Sequence, residues 1–154
     1  MILVKLRDLH QQDKAAVVAM LRDRKVMRFL GPRRPLTEDE ANSWFENVLA
    51  NPARFVVAEA DTDEFIGFCG IKRIDGVLDF GYFIRSELWG NGIAARACRM
   101  AVEKLSAEID FETVQVFIAD ENVASKRVAE KLGWVVTQGG SKDGEPGRYY
   151  RITI

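Results

Sequence analysis

The sequence is poor in the residues that build metal centres and disulfides. It has one histidine and two cysteines among 154 residues, and Cys69 and Cys98 lie in apolar patterns without the spacing of a metal or redox motif. We therefore predict two core thiols and no metal site. The single histidine, His10, lies between the first predicted strand and helix, where a surface position is expected.

Long apolar runs and a dominant sign of charge are also missing. No segment approaches the length of a membrane-spanning helix, and the N-terminal MILVKLRDL lacks the pattern of a signal peptide, so we expect a cytoplasmic protein without a membrane partner. The 22 basic and 23 acidic side chains give a net charge of −1, which creates no general attraction to nucleic acid. Any bound anion must be held by a local arrangement.

The composition that remains is that of a globular protein. Hydrophobic residues make up 47% and charged residues 29% of the chain, which allows a sizeable core and argues against extended disorder. A length of 154 residues is too short for two ordinary domains, so we predict one domain over residues 1–154.

Apolar periodicity predicts an alternation of strands and helices. Helical spacing occurs once or twice within 10–30, after a capping box at Thr37 and Glu40, over 92–107, and over 123–132 up to a C-terminal cap at Gly133. The predicted strands are 2–6, 54–60, 65–74, 77–84, 113–119, 134–138 and 148–154. The polar segment 139–147 is predicted to be a flexible loop, either a hairpin tip or a wall of a binding site.

The order of these elements predicts a mixed sheet. Three antiparallel strands follow residue 54, with Asp75-Gly76 as a hairpin turn. The strand that ends near Ile84 then crosses through the 92–107 helix to the strand 113–119, and such a crossover favours parallel pairing. Because ligands bind beyond the carboxyl ends of parallel strands, the turn before residue 93 and the segment 119–125 should share one cleft.

The turn WGNGIA, residues 89–94, has the pattern of an anion site. The first amides of a helix lack intrahelical partners and carry partial positive charge, which suits phosphate or pyrophosphate. Gly90 and Gly92 would let a ligand approach the main chain closely. The same two glycines are equally compatible with a tight connection between strand and helix.

A second polar feature lies at the start of the 123–132 helix. Asn122 is placed to cap this helix, and Ser125 falls in its first turn near the same cleft. By themselves these two residues are explained by ordinary helix capping.

Taken together, WGNGIA and NVASKRVAEKLGW resemble the motifs of the Gcn5-related N-acetyltransferases, most closely of their ribosomal-protein N-terminal acetyltransferase-like branch. The strand text LDFGYFI, the early LRDL and the order of elements resemble that branch too, so the resemblance spans nearly the whole chain. It implies the α/β acyl-CoA N-acyltransferase fold: one domain with a mixed, mostly antiparallel sheet of about seven strands, a central parallel pair that splays apart, and flanking helices.

The resemblance also implies a binding site for acetyl-CoA, the co-substrate. The main-chain amides of the turn would hold its pyrophosphate, namely those of Asn91, Gly92, Ile93, Ala94 and Ala95. The pantetheine arm would pair with the backbone of Phe83 and Ile84, with Asn122 and Ser125 on its other side. The family's usual Arg or Gln before the first glycine is Trp89 here, a small departure because main-chain groups bind the anion. Candidate partners for the outer phosphates are Arg85, Arg96, Lys126 and Arg127.

Catalysis would need a base, a polarised carbonyl and a proton donor for the leaving thiolate. Many relatives use a tyrosine of the last helix as donor, but Ala129 stands there, so Ser125 becomes the candidate. Asp79 is the preferred base because an apolar cleft would raise its pKa. The alternative is that Asp79 is an ordinary half-exposed carboxylate on a strand. Glu59 is the second choice of base. The main-chain N–H near Ile84 would polarise the acetyl carbonyl.

The function implied is direct acetyl transfer from acetyl-CoA to a primary amine. The alternative is a CoA-binding module without catalysis that acts as a sensor or protein partner. A nucleoside triphosphate site is disfavoured, because no Gly-Lys-Ser/Thr follows the turn. The acceptor stays open among a protein N-terminus, a polyamine, an amino acid and an aminoglycoside. Arg33 and Arg34 indicate either an acidic acceptor or simply a solvated, charged loop. The sequence is also compatible with a homodimer formed through an exposed strand or helix.

Overall fold

A mixed seven-stranded sheet with helices on both faces organises the chain, in a computed structural model that describes residues 1–154. The strands are β1 (Val4–Arg7), β2 (Phe55–Glu59), β3 (Phe65–Ile74), β4 (Val77–Ile84), β5 (Val114–Ala119), β6 (Val135–Lys142) and β7 (Glu145–Arg151). The helices are α1 (Lys14–Leu21), α2 (Arg24–Met27), α3 (Glu38–Ala50), α4 (Ile93–Leu105) and α5 (Val123–Leu132). None of these helices combines the length and apolar character that crossing a membrane would need.

The order of strands in the sheet is β1-β2-β3-β4-β5-β7-β6. The β4–β5 pair is parallel and the other neighbours are antiparallel. This confirms the predicted crossover through α4 and the predicted mixed, mostly antiparallel sheet. The parallel pair lies in the centre of the order, so both of its strands are supported on their outer sides.

Side chains alternate between two hydrophobic cores on opposite faces of the sheet. On one face, α1 and α3 cover β2 and β3, and Phe68 stacks edge-on against Trp44 with ring centroids 5.4 Å apart. On the other face, α4 and α5 cover β3, β4 and β5, and Phe80 meets Trp134 at 5.7 Å. Cys69 and Cys98 are buried in this second core as free thiols, as predicted.

Local sequence signals fixed several element ends as predicted. The Thr37 hydroxyl accepts from the Glu40 N–H, and the Glu40 carboxylate accepts from the Thr37 N–H, which completes the capping box of α3. The β3–β4 turn places Asp75 and Gly76 at φ 50° and 80°, the left-handed pair that a two-residue hairpin requires. Gly133 ends α5 at φ 74°.

The structure confirms the hairpin tip predicted within 139–147, but a loop over that whole segment is wrong. β6 continues to Lys142 and β7 begins at Glu145, so only Asp143 and Gly144 form the turn, at φ 50° and 82°. The sequence hides these strand ends because their glycines and the proline give no alternation of apolar and polar side chains. Main-chain pairing with the partner strand, which no side-chain pattern records, extends the hairpin.

The close approach of β5 and β7 generates a test at Gly147. A Cβ there would lie 2.6 Å from Phe117 Cζ and 2.8 Å from Ala119 Cα. We expect Gly147→Ala to lower the free energy of unfolding by about 2 kcal/mol because the packed neighbours must move. Gly139→Ala in β6 is the matched control, since its Cβ would meet nothing closer than 3.9 Å. Urea denaturation that finds the two variants equally stable would contradict this.

Candidate functional site

The two central strands separate shortly after they pair. The parallel register of β4 and β5 covers two pairs, Leu78 with Val114 and Asp79 with Gln115. Beyond them β4 runs on to Ile84 and β5 to Ala119 without pairing to each other. A wedge-shaped gap, here called the β4–β5 gap, therefore opens toward the carboxyl ends of both strands, where the sequence predicted a cleft.

Main-chain groups of β4 point into this gap at every second residue. Arg85 N donates to Ile66 O at 2.9 Å, and the bonding pairs of an antiparallel ladder alternate. Phe83 therefore shares its main-chain bonds with β3, whereas the main-chain groups of Tyr82 and Ile84 face β5. Of the two predicted pantetheine contacts in β4, Ile84 faces the gap through its main chain and Phe83 does not.

The β5 side of the gap follows the same rule. Asp120 N donates to Pro146 O at 3.0 Å, which starts the ladder between β5 and β7. The alternation then turns the main-chain groups of Phe117 and Ala119 toward β4. Both sides of the gap thus offer main-chain donors and acceptors, and an extended polar chain can pair with them as an added strand.

The glycine turn lies at the wide end of the gap. Gly90 and Gly92 take φ 84° and 71°, and a Cβ at Gly90 would meet nothing within 4 Å. The indole N–H of Trp89 donates to Ile84 O at 2.8 Å, and Asn91 Nδ2 donates to Leu88 O at 2.9 Å. These side chains fold back onto the main chain, so the turn is braced and its outer surface is left open.

The first turn of α4 has no side-chain cap. In contrast, Thr37 caps α3 and Asn122 caps α5, accepting from the Ser125 N–H at 3.2 Å. The N-cap of α4 is Gly92, whose lack of a side chain leaves the first amides of the helix, Ile93–Ala95, without a side-chain acceptor. An open turn and uncapped amides are the donor set that a pyrophosphate group fits.

Two cationic side chains approach this turn. The position of a Gly92 Cβ is 3.7 Å from Arg96 Nη1 and 3.9 Å from Lys131 Nζ. Arg96 Nη2 donates to Ile2 O at 2.7 Å, and its buried Nε has no hydrogen-bond partner. Sequence reasoning named Arg96 but missed Lys131, because only the packing of α5 against α4 brings the last turn of α5 to Gly92.

The other basic candidates for the outer phosphates are placed less favourably. Arg85 pairs with Glu64 at 3.1 Å and with Glu87 at 3.0 Å. Lys126 Nζ donates to Asp120 O at 3.2 Å, and Arg127 is exposed on α5. The structure therefore brings Arg96, rather than these three residues, to the glycine turn.

Ser125 and Tyr82 form a hydrogen-bonded pair across the gap. The Tyr82 hydroxyl donates to Ser125 Oγ at 3.0 Å, joining β4 to α5. Burial raises the pKa of Tyr82 above its usual range, so the phenol is neutral at ordinary pH. Because Ser125 Oγ accepts this bond, its own proton is free for another acceptor. Sequence reasoning selected Ser125 but not Tyr82, whose apolar strand pattern reads as core.

Asp79 lies on the opposite face of the sheet, at the narrow end of the gap. Its carboxylate pairs with Arg54 Nη2 at 2.9 Å and with Lys142 Nζ at 3.4 Å, and 15% of its side chain is exposed. Asp79 is thus set among charges, not in the apolar cleft that the sequence predicted. Glu59 lies two strands away from β4, beside a cavity of about 90 Å³ with Glu64 and Arg85.

Further ion pairs extend from Asp79 over this face of the gap. Arg28 pairs with Glu121 at 2.6 Å and with Glu145 at 3.1 Å. Arg33 lies 3.4 Å from Glu145 and donates to the main-chain oxygen of Lys142 at 3.3 Å. The loop after α2 is thereby tied to the β6–β7 hairpin. We call these side chains the mouth network: Arg28, Arg33, Arg54, Asp79, Glu121, Lys142 and Glu145.

Arg54 depends on a glycine of β4. Its guanidinium lies against Gly81, where a Cβ would be 3.0 Å from Nη2 and 3.4 Å from Cζ. Burial lowers the pKa of Arg54, an effect that the charge of Asp79 opposes. Sequence reasoning missed Arg54 because it precedes a strand as an isolated basic residue, and no local pattern shows that Gly81 makes room for it.

Comparison with known proteins agrees with this geometry. The family model of the acetyltransferase (GNAT) domain matches residues 4–135. The uncharacterized protein YkkB of Bacillus subtilis strain 168 is 29% identical over 140 residues, covering 84% of this chain and 80% of its own. Both matches include the glycine turn and the starts of α4 and α5.

Solved structures show the same fold. An acetyltransferase from Agrobacterium tumefaciens strain C58 has a TM-score of 0.80 at 20% identity, over 98% of this chain and 91% of its own. The yncA protein of Salmonella typhimurium, solved with its cofactor acetyl-CoA, has a TM-score of 0.65 at 16% identity, over 96% and 91% of the two chains. Since the family model spans most of the chain, this protein belongs to the GNAT acetyltransferase family.

Proposed function

We propose that this protein transfers the acetyl group of acetyl-CoA directly to a primary amine. The observation that carries the proposal is the uncapped first turn of α4 at the wide end of the β4–β5 gap. It supports a diphosphate site from which an extended arm can run between the strands toward Asp79. Bound there, acetyl-CoA supplies an acetyl group activated as a thioester.

The residues that would hold the co-substrate are mostly main-chain groups. The amides of residues 91–95 would bind the pyrophosphate, with Arg96 and Lys131 adding positive charge beside Gly92. Tyr82 and Ile84 on one strand, and Phe117 and Ala119 on the other, would pair with the arm. The Ile84 N–H is then placed to polarise a carbonyl in the gap, and Asn122 and Ser125 border the gap from α5.

Two side chains would handle the protons. Asp79 would accept a proton from the incoming ammonium group, directly or through water, since a neutral amine is the nucleophile. Ser125 would donate to the leaving thiolate, and Tyr82 would orient it by keeping the Ser125 proton free for that purpose. Asp79 and Ser125 lie on opposite faces of the sheet. The acceptor would therefore enter from the side of the mouth network, and the proton donor would lie on the α5 side.

A CoA-binding module without catalysis is the second candidate. The observation that favours it is the engagement of both Asp79 carboxylate oxygens, one by Arg54 and the other by Lys142. A carboxylate bound in this way can take a proton from a substrate amine only after Arg54 or Lys142 moves away from it. The Lys142 contact, at 3.4 Å and with 36% of the lysine side chain exposed, is the weaker of the two.

The diphosphate site can be tested with a charge in the first turn of α4. Ala94→Glu should weaken CoA binding about tenfold or more, because a carboxylate beside the free amides repels phosphate. The same charge interacts favourably with the helix dipole, so the melting temperature should be no lower than that of the neutral Ala94→Gln variant. Calorimetric titration with CoA measures the first effect and thermal denaturation the second.

Ala94→Gln is the matched control for this variant. It has the size of the glutamate without its charge, and we expect it to bind CoA about tenfold or more tightly than the glutamate variant does. Equal CoA affinities of the Glu and Gln variants would rule out a diphosphate at this helix end.

The proton-donor pair can be tested with Ser125→Ala and Tyr82→Phe. Each should lower kcat about tenfold or more while KM for acetyl-CoA changes little, because the pair acts on the leaving group rather than on binding. Tyr150→Phe is the control, a half-buried tyrosine packed against the same core. Steady-state kinetics that show only a raised KM would assign the pair to binding alone.

Asp79→Asn separates the enzyme from the binding module. We expect CoA binding to persist while the release of free CoA thiol with amine acceptors falls about a hundredfold, since the amide cannot take the proton. The rate that remains should rise with pH as more of the free amine is present. If the parent protein binds CoA and acetylates no amine, or if the variant is as active as the parent, the proposed mechanism is wrong.

A further inference from the structure

The ion pair between Asp79 and Lys142 bears on which amine the site accepts, provided that the proposed function holds. The Lys142 ammonium contacts Asp79 Oδ1 at 3.4 Å at the narrow end of the gap. An acceptor amine that gives its proton to Asp79 must reach the same carboxylate. Lys142 therefore stands in for the acceptor's ammonium group in the free protein.

The balance of charge around Asp79 decides what can replace Lys142. The mouth network holds four basic and three acidic side chains, Arg28, Arg33, Arg54 and Lys142 against Asp79, Glu121 and Glu145. A plain ammonium compound that displaces Lys142 adds positive charge and leaves a lysine without its partner. A zwitterion carries its own carboxylate, which can pair with the displaced lysine. One ion pair is then exchanged for two.

Unsatisfied donors point to the same chemistry. Three buried side-chain nitrogens in the chain lack a hydrogen-bond partner, the Nε atoms of Arg33, Arg54 and Arg96. Arg96 lies at the glycine turn, and the other two belong to the mouth network. Buried donors without partners in a native protein call for a ligand or water that satisfies them. Arg33 Nε lies 3.4 Å from Glu145 Oε1 without forming a hydrogen bond, so its charge is already partly compensated. A ligand that satisfies Arg54 Nε must present an acceptor oxygen.

We propose that the acceptor is an amino acid, a small molecule with a primary amine and a carboxylate, which inserts between Asp79 and Lys142. Its ammonium group replaces Lys142 at Asp79. Its carboxylate binds the freed Lys142 and the arginine donors of the mouth network. In the reaction the amine nitrogen, having lost one proton to Asp79, bonds to the acetyl carbon; the carbon–sulfur bond breaks, and the thiolate takes the proton of Ser125. The second proton that the nitrogen loses as the amide forms passes through water and restores the Ser125 hydroxyl, so the products are an N-acetyl amino acid and CoA.

This proposal disfavours polycationic acceptors. A polyamine or an aminoglycoside would bring several positive charges to a mouth that already has an excess of one, and like charges at close range repel. Glu121 and Glu145 offset little of this repulsion, because they already form ion pairs with Arg28 and Arg33. A protein N-terminus has no carboxylate next to its amine, so it leaves Lys142 unpaired.

The first experiment compares acceptors that differ in the carboxylate alone. The twenty common amino acids, their carboxamides and spermidine are assayed with acetyl-CoA by release of CoA thiol. We expect the kcat/KM of at least one amino acid to be about a hundredfold or more above that of its own carboxamide and that of spermidine. The reason is that a site that binds a polar group rejects an analogue without that group. Preference for a carboxamide or for spermidine would overturn the proposal.

The second experiment uses binding, without turnover. With CoA present and no acetyl group available, Lys142→Met should weaken calorimetric binding of the preferred amino acid about tenfold, because its carboxylate loses its partner. The affinity for the carboxamide should stay the same or rise, since Asp79 is then free for a plain ammonium group. Equal weakening of both ligands would show a merely structural lysine and contradict the proposal.

Lys72→Met is the matched control. Lys72 lies opposite Asp79 in the β3–β4 register but makes no ion pair with it, and its removal should change both affinities by less than about twofold. Failure of the proposed function looks different from failure of this inference: in the first case CoA does not bind or no amine is acetylated, and in the second CoA binds and amines without a carboxylate are preferred.

Discussion

The separation of β4 from β5 after two paired residues is the constraint on which the site depends. Main-chain polar groups at the centre of a sheet are normally satisfied by the neighbouring strand, and leaving them without partners is costly. Here the outer ladders of both strands continue, with β3 on one side and β7 on the other. The gap is therefore held open by its neighbours, and it can accept a ligand that completes the missing ladder.

The same principle of unsatisfied groups recurs at each end of the gap. At the wide end, the first amides of α4 have no cap, while Thr37 and Asn122 cap α3 and α5. At the narrow end, the buried Nε of Arg54, whose guanidinium pairs with Asp79, has no hydrogen bond. These groups adjoin the gap at both ends, so a ligand in the gap can complete their hydrogen bonds.

The two sides of the gap differ in charge, and this difference suits each side to a different step of the proposed reaction. On the α5 side, Tyr82 and Ser125 form a neutral hydrogen-bonded pair in a largely apolar setting. On the mouth side, ion pairs join the loop after α2 to the β6–β7 hairpin. A neutral proton donor suits a leaving thiolate, and a dense set of exchangeable ion pairs suits a charged acceptor. Asp79 belongs to the mouth side, at the narrow end of the gap.

The sequence by itself determined the element order, the crossover, the capping box at Thr37, the Asp75-Gly76 turn and the glycine turn, because local pattern, capping and turn chemistry decide these features within a few residues. It missed the strand ends around Asp143, since glycine-rich strands show no alternation. Only the tertiary structure decided the surroundings of Asp79, the Tyr82–Ser125 bond and the approach of Lys131 to Gly92. Except for the Arg54–Asp79 pair, each of these contacts joins residues more than 35 positions apart in the chain. Contacts between residues so far apart depend on how whole strands and helices pack.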